Sequence, residues 1–180
     1  MKASFNKVIA ILKYLEVSLK RPDRDFNSRF MIQKIAFLSK ALGISLYHNF
    51  SIYVNGPYSH VLAIDYYEDP KAVENHISDA ELTVNEQRLL DKIKEKILDH
   101  PITEEYEAEF IEAVSTIIYF KLNNPELSND DIFVKVKQTK PHLKEWMIII
   151  ANNVSKQLLF REEYMTDEIK RENEMWDNID

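Results

Sequence analysis

The chain contains no cysteine. That absence removes disulfides, thiolate metal sites and a cysteine nucleophile together. Only two glycines, Gly43 and Gly56, occur in 180 residues, so a glycine-rich phosphate loop has no material to be built from. A chain with so little flexible backbone, rich in Leu, Ile, Lys and Glu, favours helices. Long apolar runs are missing too. The richest window, residues 146–151, falls far short of the roughly 20 apolar residues of a membrane span. Residues 1–7 enter an amphipathic pattern in place of the continuous apolar run of a signal peptide. The expectation is a cytoplasmic protein with no membrane partner.

What is present suits one domain. With 45% hydrophobic residues the chain is long enough to bury a real core. The net charge of -7 is unevenly placed. Residues 1–42 carry nine basic and three acidic side chains, whereas residues 65–112 carry fifteen acidic and five basic. Residues 162–180 set eight acidic residues against Lys170 and Arg171. Charge runs are usually solvated faces. This asymmetry also lets the basic N-terminal part face an acidic partner, or lets the acidic tail fold over it.

Phe5, Val8, Ile9, Leu12, Leu15 and Leu19 recur at helical spacing and predict a first helix over residues 4–19. Asn27 or Ser28 caps a second to about residue 42, with Gly43 at its C-terminal end. Residues 46–54 alternate and are rich in aromatic and β-branched types, which predicts a strand or a small hairpin around His48-Asn49. Asn55-Gly56-Pro57 reads as a turn, and Ser59 as the cap of a short helix to about residue 67. Thr83 and Glu86 form a capping-box pair. Helices are then predicted over residues 84–98, 103–122, 129–138 and 141–165, with Ser128 capping the third of these. Leu143, Trp146, Met147, Ile150, Val154 and Leu158 give the last one a broad apolar arc, the pattern of a bundle's central helix or of one that covers a partner subunit. The expected fold is a mainly α single domain over residues 1–165. It carries a minor β element near residues 46–55 and 80–83 and a winged-helix-like order in its N-terminal half. An acidic tail, residues 166–180, follows. Its Trp176 stands out, because a lone tryptophan among acids can dock into a groove.

Lys34 breaks the pattern of the second helix. At 100° per residue it falls inside the arc of Phe30, Met31, Ile35, Phe37 and Leu38, while Arg29, Gln33, Ala36 and Lys40 make the opposite stripe. A charged ammonium in that arc must snorkel out or find a partner. Asp65 and the carbonyls of the Asn55-Gly56-Pro57 turn are the candidates. Helix, turn and Asp65 are therefore expected to form one structural unit.

Arg29-x-x-x-Gln33-Lys34-Ile35-x-Phe37-Leu38, then an aromatic-rich stretch with Tyr53, then Gly56-Pro57-Tyr58-Ser59-x-x-Leu62-x-x-Asp65 resembles the Panacea (SocA-like, phage-associated) domain. The Gly-Pro-Tyr-Ser step is closer to the YwgA-like branch. The likeness covers about residues 26–67, extends at most through residue 98, and leaves 99–165 as a helical extension. It implies a non-enzymatic antitoxin or adaptor of prophage, mobile-element or defence neighbourhoods that binds a toxin, nuclease or other effector protein. The interaction residues so implied are Arg29, Gln33, Lys34, Tyr53, Gly56, Pro57, Tyr58, Ser59 and Asp65, to which the tail adds Trp176.

No catalytic constellation competes with that expectation. The histidines, at 48, 60, 76, 100 and 142, form no metal-binding pair. Ser59-His60 lacks the glycines of a nucleophile elbow. Glu105, Glu109 and Glu112 share a helix face without a facing histidine and read as a solvated face. No catalytic residue, metal or cofactor is therefore expected, and the protein is expected not to be an enzyme. The rival reading is a winged-helix-like DNA-binding regulator, for which the basic segment 1–42 speaks. A homodimer is a further option.

Overall fold

The structure, a computed structural model, describes residues 2–160. Trp176 and the acidic tail lie outside the described residues. The fold is mainly helical with one two-stranded antiparallel sheet.

Helix α1 (Ala3–Tyr14) buries Phe5, Val8, Ile9, Ile11 and Leu12. It stops before the expected residue 19 because Glu16 takes a left-handed φ of 56°. Glu16 N–H then bonds Lys13 O and Val17 N–H bonds Leu12 O, which closes the helix end. The same closure follows α2 (Phe26–Ala41), where Gly43, at φ 109°, donates to Lys40 O and Ile44 to Ser39 O. Helix α2 is capped by Asp25, two residues ahead of the expected start, and its carboxylate accepts from Ser28 N–H.

The β element is a hairpin, β1 (Ser51–Tyr53) and β2 (Gly56–Tyr58), with Ser51 opposite Tyr58 and Tyr53 opposite Gly56. Its turn is Val54-Asn55, not His48-Asn49, and Gly56-Pro57 belongs to the second strand. The left-handed step falls on Gly56, at φ 89°. No strand forms at residues 80–83. That segment is instead bound locally, Ala80 N–H to Ser78 Oγ and Thr83 N–H to Glu86.

Ser59 caps α3 (His60–Glu68), and a short α4 (Pro70–Glu74) starts on Pro70 with Asp69 as its cap. The Thr83–Glu86 capping box opens α5 (Val84–Ile93), which continues into a π-helical turn, Lys94–Leu98. Helices α6 (Thr103–Asn123), α7 (Asn129–Thr139, capped by Ser128) and α8 (Glu145–Leu159) complete the described chain.

The central helix is α6, not the last one. It packs against α2, α7, α8 and β2, and every residue from Phe110 to Ile118 is buried. Helix α8 covers it from one side and leaves Ile149 and part of Trp146 in solvent. Its apolar arc is wide because α8 also meets α7 and the π-helical turn. Among the described residues no helix is long and apolar enough to cross a membrane.

Candidate functional site

Three side chains of α2, spaced along one stretch, each bond a main-chain group of a neighbouring segment. The Arg29 guanidinium donates from Nη1 to Pro22 O at 2.7 Å and lies over the Phe26 ring. The Gln33 carboxamide donates to Ser59 O at 2.9 Å and accepts from Ser59 N–H at 2.8 Å. Lys34 Nζ donates to Pro57 O at 2.8 Å and sits 5.1 Å from the centre of the Phe30 ring. The Arg-x-x-x-Gln-Lys pattern thus fixes the chain before α2 and the hairpin after it. Gln33 substitutes for a missing strand, since it pairs with residue 59 as a ladder neighbour would.

Lys34 is 2% exposed. Burial pushes its pKa down to about 7; the Glu112 carboxylate works against that shift and the Lys140 ammonium adds to it. Lys140, from the α7–α8 connection, grips the same hairpin, donating to Tyr53 O at 2.5 Å and to Val54 O. Its pKa is also lowered by burial, against the pull of Glu112. Glu112 of α6 faces Lys140 at 3.4 Å and His142 at 3.1 Å. It is therefore a buried counter-ion, unlike Glu105 and Glu109, which are exposed. The hairpin has only three residues per strand, and two buried lysines hold its carbonyls. Nothing of this pairing is visible in sequence, because Glu112 and Lys140 lie 78 and 106 residues after Lys34.

Gly56 is where the backbone must come close. A Cβ there would lie 3.0 Å from Thr116 Oγ1 and 3.3 Å from Lys34 Nζ, at a φ that other residues rarely adopt.

Asp65 is not the partner of Lys34. It accepts from Lys2 Nζ at 2.6 Å and from His48 Nε2–H at 2.9 Å. Helix α3 turns Asp65 toward α1 and the segment before the hairpin, away from α2. His48 is fully buried, and burial lowers its pKa against the effect of the Asp65 contact. Of the residues named from sequence, Arg29, Gln33, Lys34, Tyr53, Gly56 and Tyr58 line one cleft. Pro57 and Ser59 support it through their main chain, Asp65 stands apart, and Trp176 lies outside the described residues.

The cleft, about 240 Å³, opens between α2, the hairpin and α3. Gln33, Lys34, Gly56 and Tyr66 form its buried floor, and Phe26, Arg29, Tyr53 and Tyr67 its rim. The sequence offers Tyr47, Phe50, Tyr53, Tyr58, Tyr66 and Tyr67 as partner-binding aromatics; the last four line the cleft, Tyr47 and Phe50 do not, and Phe26 was not among them. The signal for Tyr66 and Tyr67 was the run of aromatics after Gly56. Tyr53 and Tyr58 meet across the hairpin as a tilted pair with ring centres 5.1 Å apart, and Tyr66 and Tyr67 likewise with centres 5.0 Å apart. Burial pushes the Tyr66 phenol up to about 12. Among the described residues no Asp or Glu lines the cleft. Beside it, Val61, Ile64 and Tyr67 form an exposed stripe on α3 at three-residue spacing.

Among the described residues no group of His, Asp or Glu is placed to hold a metal ion. Comparison of the chain with protein-family models, curated proteins and solved structures finds no match.

Proposed function

We propose that the protein is a non-enzymatic interaction module of the antitoxin or adaptor type, which holds a partner protein on the face formed by α2, the hairpin and α3. One observation carries this reading. Phe26, Tyr53, Val54, Val61, Ile64 and Tyr67 are all exposed and border or flank a single cleft. Buried aromatic anchors surrounded by a partly wet rim are how protein partners gain most of their affinity. The buried polar groups beneath the cleft already bond main-chain atoms and hold the face in shape. The sequence resemblance to Panacea-like and YwgA-like domains adds the prophage, mobile-element or defence setting, with a toxin, nuclease or other effector as the partner class.

The DNA-binding reading draws on the nine basic residues of segment 1–42. Most of them are engaged inside the protein. Lys2 contacts Asp65, Lys7 contacts Glu86, Arg21 and Arg24 contact Asp23, and Lys40 donates to His48 O. Arg29 and Lys34 bond carbonyls. Helix α2, which precedes the hairpin as a recognition helix precedes its wing, spends Arg29, Lys34 and Lys40 on main-chain carbonyls of its own chain.

A photo-reactive residue placed at Tyr67, against a control at exposed Val84, tests the proposal in the native host. The expected result is a protein crosslink specific to position 67. Equal crosslinking at both positions contradicts it.

A further inference from the structure

Arg29 stands at the mouth of an aromatic cleft with most of its donors unspent. It is half-buried on α2, and its guanidinium lies 5.7 Å from the centre of the exposed Phe26 ring. Of the five N–H donors of a guanidinium, one meets Pro22 O. The others have no partner among the described residues. Asp25, the carboxylate one turn earlier, is turned to Ser28 N–H and Oγ as the cap of α2. Lys34 plays no such part, because it is buried in the floor, bonded to Pro57 O and close enough to Glu112 to feel its charge. Arg29 is therefore the charged group that a ligand entering the cleft meets.

Size and wall chemistry narrow the ligand further. The cleft, about 240 Å³, is smaller than the roughly 300–1,000 Å³ of pockets that enclose a small molecule. It has room for one large side chain, whose main chain then stays at the mouth. Phe30, Tyr58 and Tyr66 line it from within, and Phe26, Tyr53 and Tyr67 from the rim. Such walls favour an aromatic ring, which adds edge and face contacts to the apolar area it buries. The walls are also held before any ligand arrives, since Gln33 and Lys34 tie the hairpin to α2. A preformed site spends little on ordering. Among the described residues no carboxylate lines the cleft, so a negative charge beside the ring meets attraction from Arg29 and a positive one meets repulsion.

Resting on the reading of this face as the docking site, we propose that the partner protein anchors itself with one aromatic side chain in the cleft and a neighbouring Asp or Glu on Arg29. The guanidinium offers paired N–H groups to both oxygens of that carboxylate, a fork that a lysine ammonium lacks. The ring supplies most of the affinity. The carboxylate decides which aromatic segments dock, because a segment with neutral or basic neighbours leaves the Arg29 donors unmatched.

The test titrates three blocked peptides into the isotope-labelled full chain and follows the amide resonances of Phe30 and Gly56. The peptides are acetyl-Asp-Phe-Asp-amide, acetyl-Asn-Phe-Asn-amide and acetyl-Asp-Ala-Asp-amide. The first is expected to saturate both shifts with a Kd of about 1 mM, about fivefold tighter than the second. The third is expected to move neither. Arg29→Gln should bind the two Phe peptides alike, and a circular dichroism melt of that variant separates lost selectivity from lost fold. Four results would overturn the proposal. They are equal affinity of the two Phe peptides for the parent, a preference that survives Arg29→Gln, equal shifts from the Ala peptide, and no saturation by any peptide up to about 10 mM. The comparison of peptides on the parent needs no variant. Each of these results leaves the docking-face reading standing, because that reading is decided by the crosslink at Tyr67.

Discussion

The carboxamide of Gln33 satisfies both main-chain groups of Ser59, donating to its carbonyl and accepting from its N–H. Ser59 in turn caps α3 through its hydroxyl, which accepts from Leu62 N–H. One side chain of α2 therefore sets where the hairpin ends and where the next helix begins.

Gln33→Ala leaves the buried Ser59 N–H without a partner, while Ser59 O keeps its bond from Ala63 N–H. The expected loss is about 1–3 kcal/mol, read as a lower urea midpoint with unchanged slope. Gln33→Glu keeps the acceptor for Ser59 N–H but places a carboxylate against Ser59 O, so a similar loss is expected. A variant as stable as the parent would remove the clamp from the account.

Asp65 and Lys34 serve different contacts, and their substitutions should combine independently. Asp65→Ala strands the buried His48 Nε2–H and frees Lys2, for an expected cost of about 2–4 kcal/mol. Lys34→Met removes a buried ammonium and its bond to Pro57 O, two effects of opposite sign, and costs less. The double variant should match the sum of the singles to within about 0.5 kcal/mol. A coupling above about 1 kcal/mol would restore the direct pair expected from sequence.

Gly56→Ala meets a positive φ and a close approach to Thr116 and Lys34 together. A loss of about 1–3 kcal/mol in chemical denaturation is expected. Gly43→Ala has the positive φ but open space around it, and should cost less. The reverse order would contradict the packing described.

Stability should depend on pH through Lys34. An unfolded lysine titrates at 10.5, whereas Lys34 in the fold titrates near 7. Between those values the unfolded chain holds a proton that the native chain has released, so the Lys34 contribution rises with pH from about 7 and levels off near 10.5. Lys140 acts in the same direction. The parent should therefore gain stability relative to Lys34→Met across that window, by at most about 1.4 kcal/mol per pH unit. A difference that stays flat from pH 6 to 10 contradicts a depressed Lys34.

Much of the helical frame was legible because local signals act locally. The capping pairs Thr83–Glu86 and Ser128–Asp131 and the Ser59 cap stand where side-chain chemistry puts them. Lys34 was legible as an anomaly, since a lysine in an apolar arc must bond something. Which carbonyl it found, and that Glu112 and Lys140 share its surroundings, depend on α6 packing against α2 and α7 against α6, which no local pattern encodes. The end of α1 was misread because Glu16 fills the left-handed position usually given to glycine. The turn was placed late because Asn55-Gly56 resembles a turn centre, whereas the tertiary lysine contacts hold Val54-Asn55 there instead.

The central claim is that the α2–hairpin–α3 face holds a partner protein. Its most direct measurement is recovery of that partner from the native host, identified by mass spectrometry and rebound as purified protein to three chains. These are the parent, Tyr67→Glu on the cleft rim, and Val84→Glu at an exposed position on α5. The account predicts equal binding by the parent and Val84→Glu, and at least tenfold weaker binding by Tyr67→Glu, with all three melting alike. Undiminished binding by Tyr67→Glu, or recovery of duplex DNA with steeply salt-dependent affinity, would contradict it.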